Sequence, residues 1–391
     1  MKRPFLNIIH LLLIAAALGG VQLTHAQTAA ATPIPPTGTI VDIQPREPPG
    51  KLKVSRERGD TPVDATIGMP IRRGDLLILA EGAKATIVCA DKLPHEINKR
   101  SQPCPCFAGK KFERSKYGLT FIPRGVDTAN SAFPVIISPR ATRILNTRPT
   151  LRWSPVAKST TDGPMTDPVY RVSILTDDMK PVWSKDGITN TEMAYPADAP
   201  ALAPGEYLLL VSTGTRESDD EHAAGRGFIV LPTCAGQSWE GRRSPCLAQQ
   251  VRDEERRIRN FNLPDDSTRL LIADLYASNG LYAEAIEELE KVSTTVKAPA
   301  VIRQLGDLYA SVGLNREAER LYLEALSISQ VASDLEARAL TLRSLASSYE
   351  NLGNFEQARA KYDEAIGAYE KLGDHAVVTE LKRLRAILGE R

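Results

Sequence analysis

The chain repeats itself near its carboxyl end: LYASNGL at residues 275–281, LYASVGL at 308–314 and SYENLGN at 348–354. The tyrosines of the three copies, Tyr276, Tyr309 and Tyr349, lie 33 and 40 residues apart. From Asp265 to Arg391 the sole proline is Pro299, and helix-favouring Ala, Leu and Glu dominate. In the second copy Ile302, Leu305, Gly306 and Tyr309 fall on one helical face, and Gly313 breaks the chain. Ala318, Tyr322 and Ala325 then line the facing side of the next helix. Each copy therefore reads as a helical hairpin. One hairpin cannot bury its own face, so the copies must stack on a shared core.

The pattern of large, small and aromatic residues followed by alanine, aromatic and alanine resembles the tetratricopeptide repeat. Leu305, Gly306, Tyr309, Ala318, Tyr322 and Ala325 meet it, as do Leu345, Ala346, Tyr349, Ala358, Tyr362 and Ala365. The first copy offers Ile272, Ala273, Tyr276, Ala285, Leu289 and Val292, weaker in its second helix. The 40-residue spacing implies an extra helical turn or loop between Ile328 and Ala339. Val377, Leu381, Leu384 and Leu388 then suit a capping helix over 375–388, with Glu380, Lys382, Arg383 and Arg385 on its wet face. The charged stretch Leu247 to Phe261 reads as a solvated connector helix.

The resemblance implies a concave wall that binds peptides or helices. Its wall positions here are Leu270, Asp274, Ala277 and Ser278, then Arg303, Asp307, Ala310 and Ser311, then Arg343, Ser347, Glu350 and Asn351. Asp274, Arg303, Asp307, Arg343, Glu350 and Asn351 are the implied partner-binding residues, because charged groups orient a ligand. The bland alternative is that these charges pair across neighbouring helices. The mixed set does not reproduce a basic clamp for a C-terminal carboxylate.

Toward the amino end the style changes to β. The stretch GMPIRRGDLLILAEGAKATIVCAD, residues 68–91, places Leu76 to Leu79 and Ala85 to Cys89 either side of a Glu81-Gly82 turn and reads as a hairpin. With Gly68, Gly74-Asp75 and Thr86 to Cys89 it resembles the FecR-like domain of bacterial envelope proteins, from which only a small β fold over 38–125 is carried over, and not an iron-signalling role. Residues 133–232 alternate at Thr150 to Trp153 and Tyr170 to Ile174, while Tyr207 to Ser212 is apolar on both sides and reads as a central strand. Phe228 to Leu231 supplies a last strand. This resembles an immunoglobulin- or fibronectin-like β-sandwich with Trp153 in its core. Residues 233–264 read as a disulfide loop and connector, and 265–391 as three hairpins plus a cap. The fold class expected is multidomain: two all-β modules followed by an all-α tetratricopeptide-type repeat.

Lys2 and Arg3 precede an apolar run from Phe5 to Leu23, and Thr24-His25-Ala26 follows with small residues. That is the pattern of a secretory signal over 1–26, cut after Ala26. Polar and glycine interruptions argue against its retention as an anchor. Residues 27–37 read as a flexible leader. A periplasmic or secreted location is expected, with no later membrane span. The five cysteines suit it. Cys234 and Cys246 bracket a short loop and are expected to bridge; Cys89 is expected to pair with Cys104 or Cys106, leaving one thiol free. A metal or redox role for Cys104-Pro105-Cys106 lacks companions beyond His95. The acidic stretch Asp219-Asp220-Glu221-His222 reads as a solvated tip rather than a cation site.

Among 391 residues, 49 Lys plus Arg against 48 Asp plus Glu argue against a nucleic-acid binder. Charge is nevertheless uneven. Residues 38–125 carry a net of +6 and residues 265–391 a net of −6. The basic end suits an anionic wall polymer, the acidic end a basic partner, and the two suit each other. No nucleophile elbow, phosphate-binding glycine loop, dinucleotide fingerprint or zinc-protease helix is present. No cofactor and no catalysis are expected. The functions expected are an exported adaptor docking another envelope protein, or else a wall-glycan module whose repeats serve oligomerisation.

Overall fold

The computed structural model of the chain describes residues 36–45, 51–56, 61–72, 74–90, 92–106, 133–156, 168–214, 216–218, 227–233, 246–331 and 334–390. The signal-like segment, the acidic stretch at 219–222 and Cys234 lie outside these residues.

The first β domain contains β1 (Pro36–Gln44), β2 (Leu52–Ser55), β3 (Val63–Asp64), β4 (Pro70–Arg72), β5 (Leu76–Leu79), β6 (Lys84–Cys89), β7 (Pro94–Ile97) and β8 (Ser101–Pro103). They form two four-stranded antiparallel sheets, ordered β4-β1-β6-β7 and β3-β2-β5-β8. Ile40, Ile71 and Ile87 of one sheet and Leu52 and Leu77 of the other are fully buried. The expected hairpin between β5 and β6 is corrected here. The strands fall where the sequence puts them, but β5 pairs with β2 and β8, and β6 with β1 and β7. A tight turn, with the Ala83 amide donating to the Ala80 carbonyl at 3.1 Å, carries the chain from one sheet to the other. Both strands bear inward apolar rows. Crossing between sheets lets those rows oppose each other, whereas a hairpin would lay them side by side.

The second module contains β9 (Ile136–Ser138), β10 (Thr142–Ile144), β11 (Thr150–Trp153), β12 (Tyr170–Thr176), β13 (Pro181–Ile188), β14 (Glu192–Ala194), β15 (Gly205–Thr213), β16 (Arg216–Glu217) and β17 (Phe228–Val230). One sheet runs β10-β17-β15-β12-β13 with β16 on β15; the other runs β14-β11-β9. As its two apolar faces predict, β15 is central. Trp153 is buried between the sheets, edge-on to Tyr170 with ring centroids 5.6 Å apart.

Among the described residues eight α-helices follow: α1 (Leu247–Arg259), α2 (Asp265–Ser278), α3 (Tyr282–Thr295), α4 (Pro299–Ser311), α5 (Asn315–Val331), α6 (Leu335–Asn351), α7 (Phe355–Lys371) and α8 (His375–Ile387). Pairs α2/α3, α4/α5 and α6/α7 are the three hairpins, and α8 caps them. Gly280, Gly313, Gly353 and Gly373 all take left-handed backbone, at φ of 71° to 83°. At each, the following amide reaches back to a tyrosine carbonyl: Leu281 to Tyr276, Leu314 to Tyr309, Asn354 to Tyr349, Asp374 to Tyr369. This is a glycine-terminated helix end used four times. The 40-residue spacing is taken up as helix, since α5 and α6 each have 17 residues against 13 or 14 in α2, α3 and α4. Helix α1 is not the solvated connector expected. Ala248, Val251 and Ile258 are buried, and Tyr276 donates its hydroxyl to Glu255 at 2.9 Å. Its charges wrap most of the helix but leave one apolar stripe, Ala248, Val251 and Ile258, so the run of Arg and Glu masks an amphipathic helix.

The modules share cores. A single apolar cluster joins Ile40, Val41 and Met69 of the first β domain to Leu270, Val301 and Tyr309 of the array. The sandwich docks on the hairpin turns. Arg140, fully buried, donates Nε to the Val312 carbonyl at 2.9 Å. Thr142 Oγ1 accepts the Tyr282 amide at 2.8 Å. Arg152 grips Glu290 of α3 with two parallel bonds of 2.9 and 3.0 Å.

Candidate partner-binding groove

The wall of the array is built by α2, α4 and α6. Close packing behind it depends on small residues at the hairpin crossings. A Cβ at Gly306 would stand 2.6 Å from the Tyr322 ring, so glycine there lets α4 and α5 approach. Ala318, Ala325, Ala346, Ala358 and Ala365 are fully buried at the equivalent contacts.

The wall is not open along its whole length, which corrects the expectation of a continuous ligand-ready surface. The first β domain lies against it over the first two hairpins and the start of the third. Ser267 of α2 donates to the Val41 carbonyl of β1 at 2.7 Å. Leu270 is buried in the shared cluster. A Cβ at Gly68, which has φ +84°, would meet Ala300 Cβ at 3.1 Å, so the 66–69 turn presses its backbone onto α4. Met69 and Pro70 line a crevice with Arg303 and Leu340. At the start of α6 the contact becomes ionic. Arg56 bridges Asp75 and Glu336, and Arg72 Nη2 lies 2.7 Å from Glu336 Oε1. Asp75 and Glu336 are both buried. Burial pushes the Asp75 carboxyl above its ordinary range, against the pull of the Arg72 amide and both guanidinium groups.

Each of the six implied partner-binding residues can now be placed. Asp274 is exposed and faces a partly open cavity beside β1 and β6. Arg303 pairs with Asp307 one turn on and sits beneath the β-domain turn. Asp307 also accepts the Tyr322 hydroxyl at 2.9 Å. Glu350 accepts the Tyr362 hydroxyl at 3.3 Å. Asn351 donates to Asn315 Oδ1 at 3.4 Å, which also takes the Ser348 hydroxyl. Arg343 is exposed, with no carboxylate at ion-pair distance among the described residues, and so is Ser347 one turn along. The structure therefore gives Asp307, Glu350 and Asn351 internal bonds and leaves Arg343 exposed, its guanidinium bonded to the Tyr369 hydroxyl rather than to a carboxylate.

The tyrosine–carboxylate pairing went unread in the sequence. Tyr276, Tyr309, Tyr322 and Tyr362 each donate to an acidic side chain: Glu255, Glu290, Asp307 and Glu350. Burial, and then the adjacent carboxylate, push all four phenols well above their usual range. No local signal marks it, since the acceptors lie 12 to 21 residues from their tyrosines and on neighbouring helices. Among the described residues no group of three His, Cys, Asp or Glu is placed to hold a metal.

The cysteines resolve one open pairing. Cys89 bridges Cys106, 17 residues on, and Cys104 is free and half-buried. Cys246 is also disulfide-bonded.

Tetratricopeptide-repeat family models match residues 267–294 and 297–371. No curated protein matches the chain. Among solved structures, MamA is similar over 38% of this chain and 96% of its own, at 16% identity and a TM-score of 0.26. A putative kinesin light chain with TPR-like repeats from Podosopora anserina is similar over 36% of this chain and 87% of its own, at 18% identity and a TM-score of 0.28. The fibronectin(III)-like modules of CbhA from Clostridium thermocellum align over 50% of this chain and 85% of theirs, at 14% identity and a TM-score of 0.15. The family models place tetratricopeptide repeats in the carboxyl-terminal region, and such repeats suggest a scaffold for protein–protein contact.

Proposed function

We propose that the protein is an exported, non-catalytic adaptor that docks another envelope protein on the third hairpin of its array. One observation carries the reading. Wall positions that the first β domain covers in the first two hairpins, at Leu270 and Arg303, recur in the third as Arg343, which is exposed. A guanidinium there offers a planar, bidentate donor to a carboxylate of the partner. Export is supported by the signal-like amino end and by the Cys89–Cys106 bridge, which suits an oxidising compartment.

The test is cross-linking capture from the envelope with the full chain. Arg343→Glu should lose a partner that the wild type recovers, while Arg320→Glu on α5 should keep it. An identical set of recovered proteins for the wild type and Arg343→Glu, with the variant folded, would remove the groove assignment.

A further inference from the structure

A cavity of about 250 Å³ lies where β1 and β6 meet α1 and α2. At about 30 Å³ per water it has room for roughly eight waters, or an organic molecule of similar heavy-atom count. Its walls are mainly apolar, with Val41 and Val88 on the strand side and Ile258, Phe261, Leu270 and Leu271 on the helix side. Asp274 stands among them. It is set deep in the protein, yet its carboxylate is open to the cavity.

Asp274 has no hydrogen bond and no ion pair among the described residues. The cation whose field reaches it is Lys92, and Lys92 is engaged 3.9 Å from Glu254 of α1. An acid in apolar walls without a bonded counter-ion costs stability. Burial accordingly raises the Asp274 carboxyl above its ordinary range, with Lys92 opposing. The sequence placed Asp274 on a peptide-binding wall, but the β domain has narrowed that wall into a cavity open on one side, where Asp274 keeps access to solvent. What remains is a concave, mainly apolar site with two charged groups in its lining, Asp274 and Lys92, of which Lys92 is engaged by Glu254 and Asp274 is left for a ligand, and small-ligand sites are commonly built with few convergent polar groups.

We propose that this cavity is a binding site for an organic cation: a primary ammonium on a short aliphatic stem, held by Asp274 with its stem against Val41, Leu270 and Leu271. Such a group is carried by free alkylamines and by lysine side chains alike. The ammonium supplies the missing counter-ion and three donors, while the stem replaces water on apolar wall.

The experiment is isothermal titration of the full chain with n-pentylammonium chloride, then with pentan-1-ol, then with a blocked lysine peptide. Saturable binding of pentylammonium is expected, weakened about tenfold or more in Asp274→Asn, as loss of a charge-assisted bond implies. Pentanol should bind at least about tenfold more weakly than the amine. Competition by the lysine peptide would assign the natural ligand to a protein side chain; binding of the free amine alone would assign it to a small molecule. Either result keeps the site. Ala90→Phe, which fills the cavity from the strand side, should abolish binding while Asp274 is intact. Equal affinity of wild type and a folded Asp274→Asn, or equal affinity for amine and alcohol, would overturn the proposal.

Discussion

Replacing Glu336 tests whether the first β domain is truly bound to the wall. Its carboxylate receives Arg56 and Arg72, both from the β domain, at the start of α6. Glu336 is buried, whereas the Arg56 and Arg72 side chains keep 18% and 31% of their exposure. Removing one partner of a buried pair costs roughly 3–5 kcal/mol, because the other charge stays desolvated. Here Arg56 retains Asp75, and Arg72 can reach water. The expected cost of Glu336→Ala is therefore at the low end, about 3 kcal/mol. Urea unfolding followed by helical circular dichroism measures it, and a double-mutant cycle with Arg56→Ala isolates the pair. A coupling of about 1–3 kcal/mol is expected for residues in one network. Additivity within about 0.5 kcal/mol would show that the guanidinium and carboxylate do not hold the domains together, and the covered wall would lose its ionic anchor.

Three other expectations concern other contacts. Gly306→Ala places a methyl against the Tyr322 ring, which its bond to Asp307 fixes. Overpacking of about 2–3 kcal/mol, the upper part of the usual range because the ring is fixed, less about 1 for helix propensity, should leave a net loss of about 1–2 kcal/mol in chemical unfolding. No measurable loss would show that the α4–α5 crossing has slack. Burial raises the Cys104 thiol, with Asp75 adding to it, so mass spectrometry should find it alkylated slowly in the native state and promptly after unfolding without reductant; rapid native labelling would contradict its placement. Glu284, at the sandwich–array contact, accepts the Leu145 amide at 2.7 Å, yet burial, opposed by backbone amides, pushes its carboxyl from 4.5 to about 7. The folded state binds its proton more tightly, so this contribution is complete below about pH 4.5 and is lost as pH rises through about 7, by up to roughly 3 kcal/mol. Glu284→Gln should flatten the stability profile between pH 5 and 7; an unchanged slope would refute the assignment.

The helical array was legible because its information is local. Glycine after each tyrosine-bearing helix, alanine at each crossing and apolar spacing along one face all act within a few residues, and the structure repeats them turn for turn. Strand positions were legible for the same reason. Strand partners were not: Leu76 to Leu79 and Ala85 to Cys89 satisfy a hairpin and a sheet-to-sheet crossing equally well, and residues far along the chain decide between them. The site was harder still. Nothing near Asp307 or Glu350 announces that a tyrosine hydroxyl will claim it. One sign of the covered wall was readable, since Leu270 occupies a position where the later copies carry Arg303 and Arg343. A leucine there is a residue awaiting cover. The opposite net charges of the two ends were the other sign, and Arg56, Arg72 and Lys92 meeting Glu336 and Glu254 show them spent within the molecule.

That arrangement makes wall access a competition. A ligand for the first two hairpins must displace the β domain, so its apparent affinity is reduced by the fraction of molecules already undocked. If Glu336→Ala weakens docking by about 3 kcal/mol, the undocked fraction rises by a little over two orders of magnitude. The two binding surfaces should then respond differently to one substitution. A partner held at Arg343 needs no displacement and should bind Glu336→Ala and wild type alike. A partner held at Leu270 or Arg303 should bind the variant more tightly, by up to about a hundredfold. Amide exchange supplies the reference, since Val41 and the strand around it should lose protection in the variant as docking weakens. A captured partner whose affinity rises with that loss would move the docking site from the third hairpin to the first two, and an affinity indifferent to it would hold the site at Arg343.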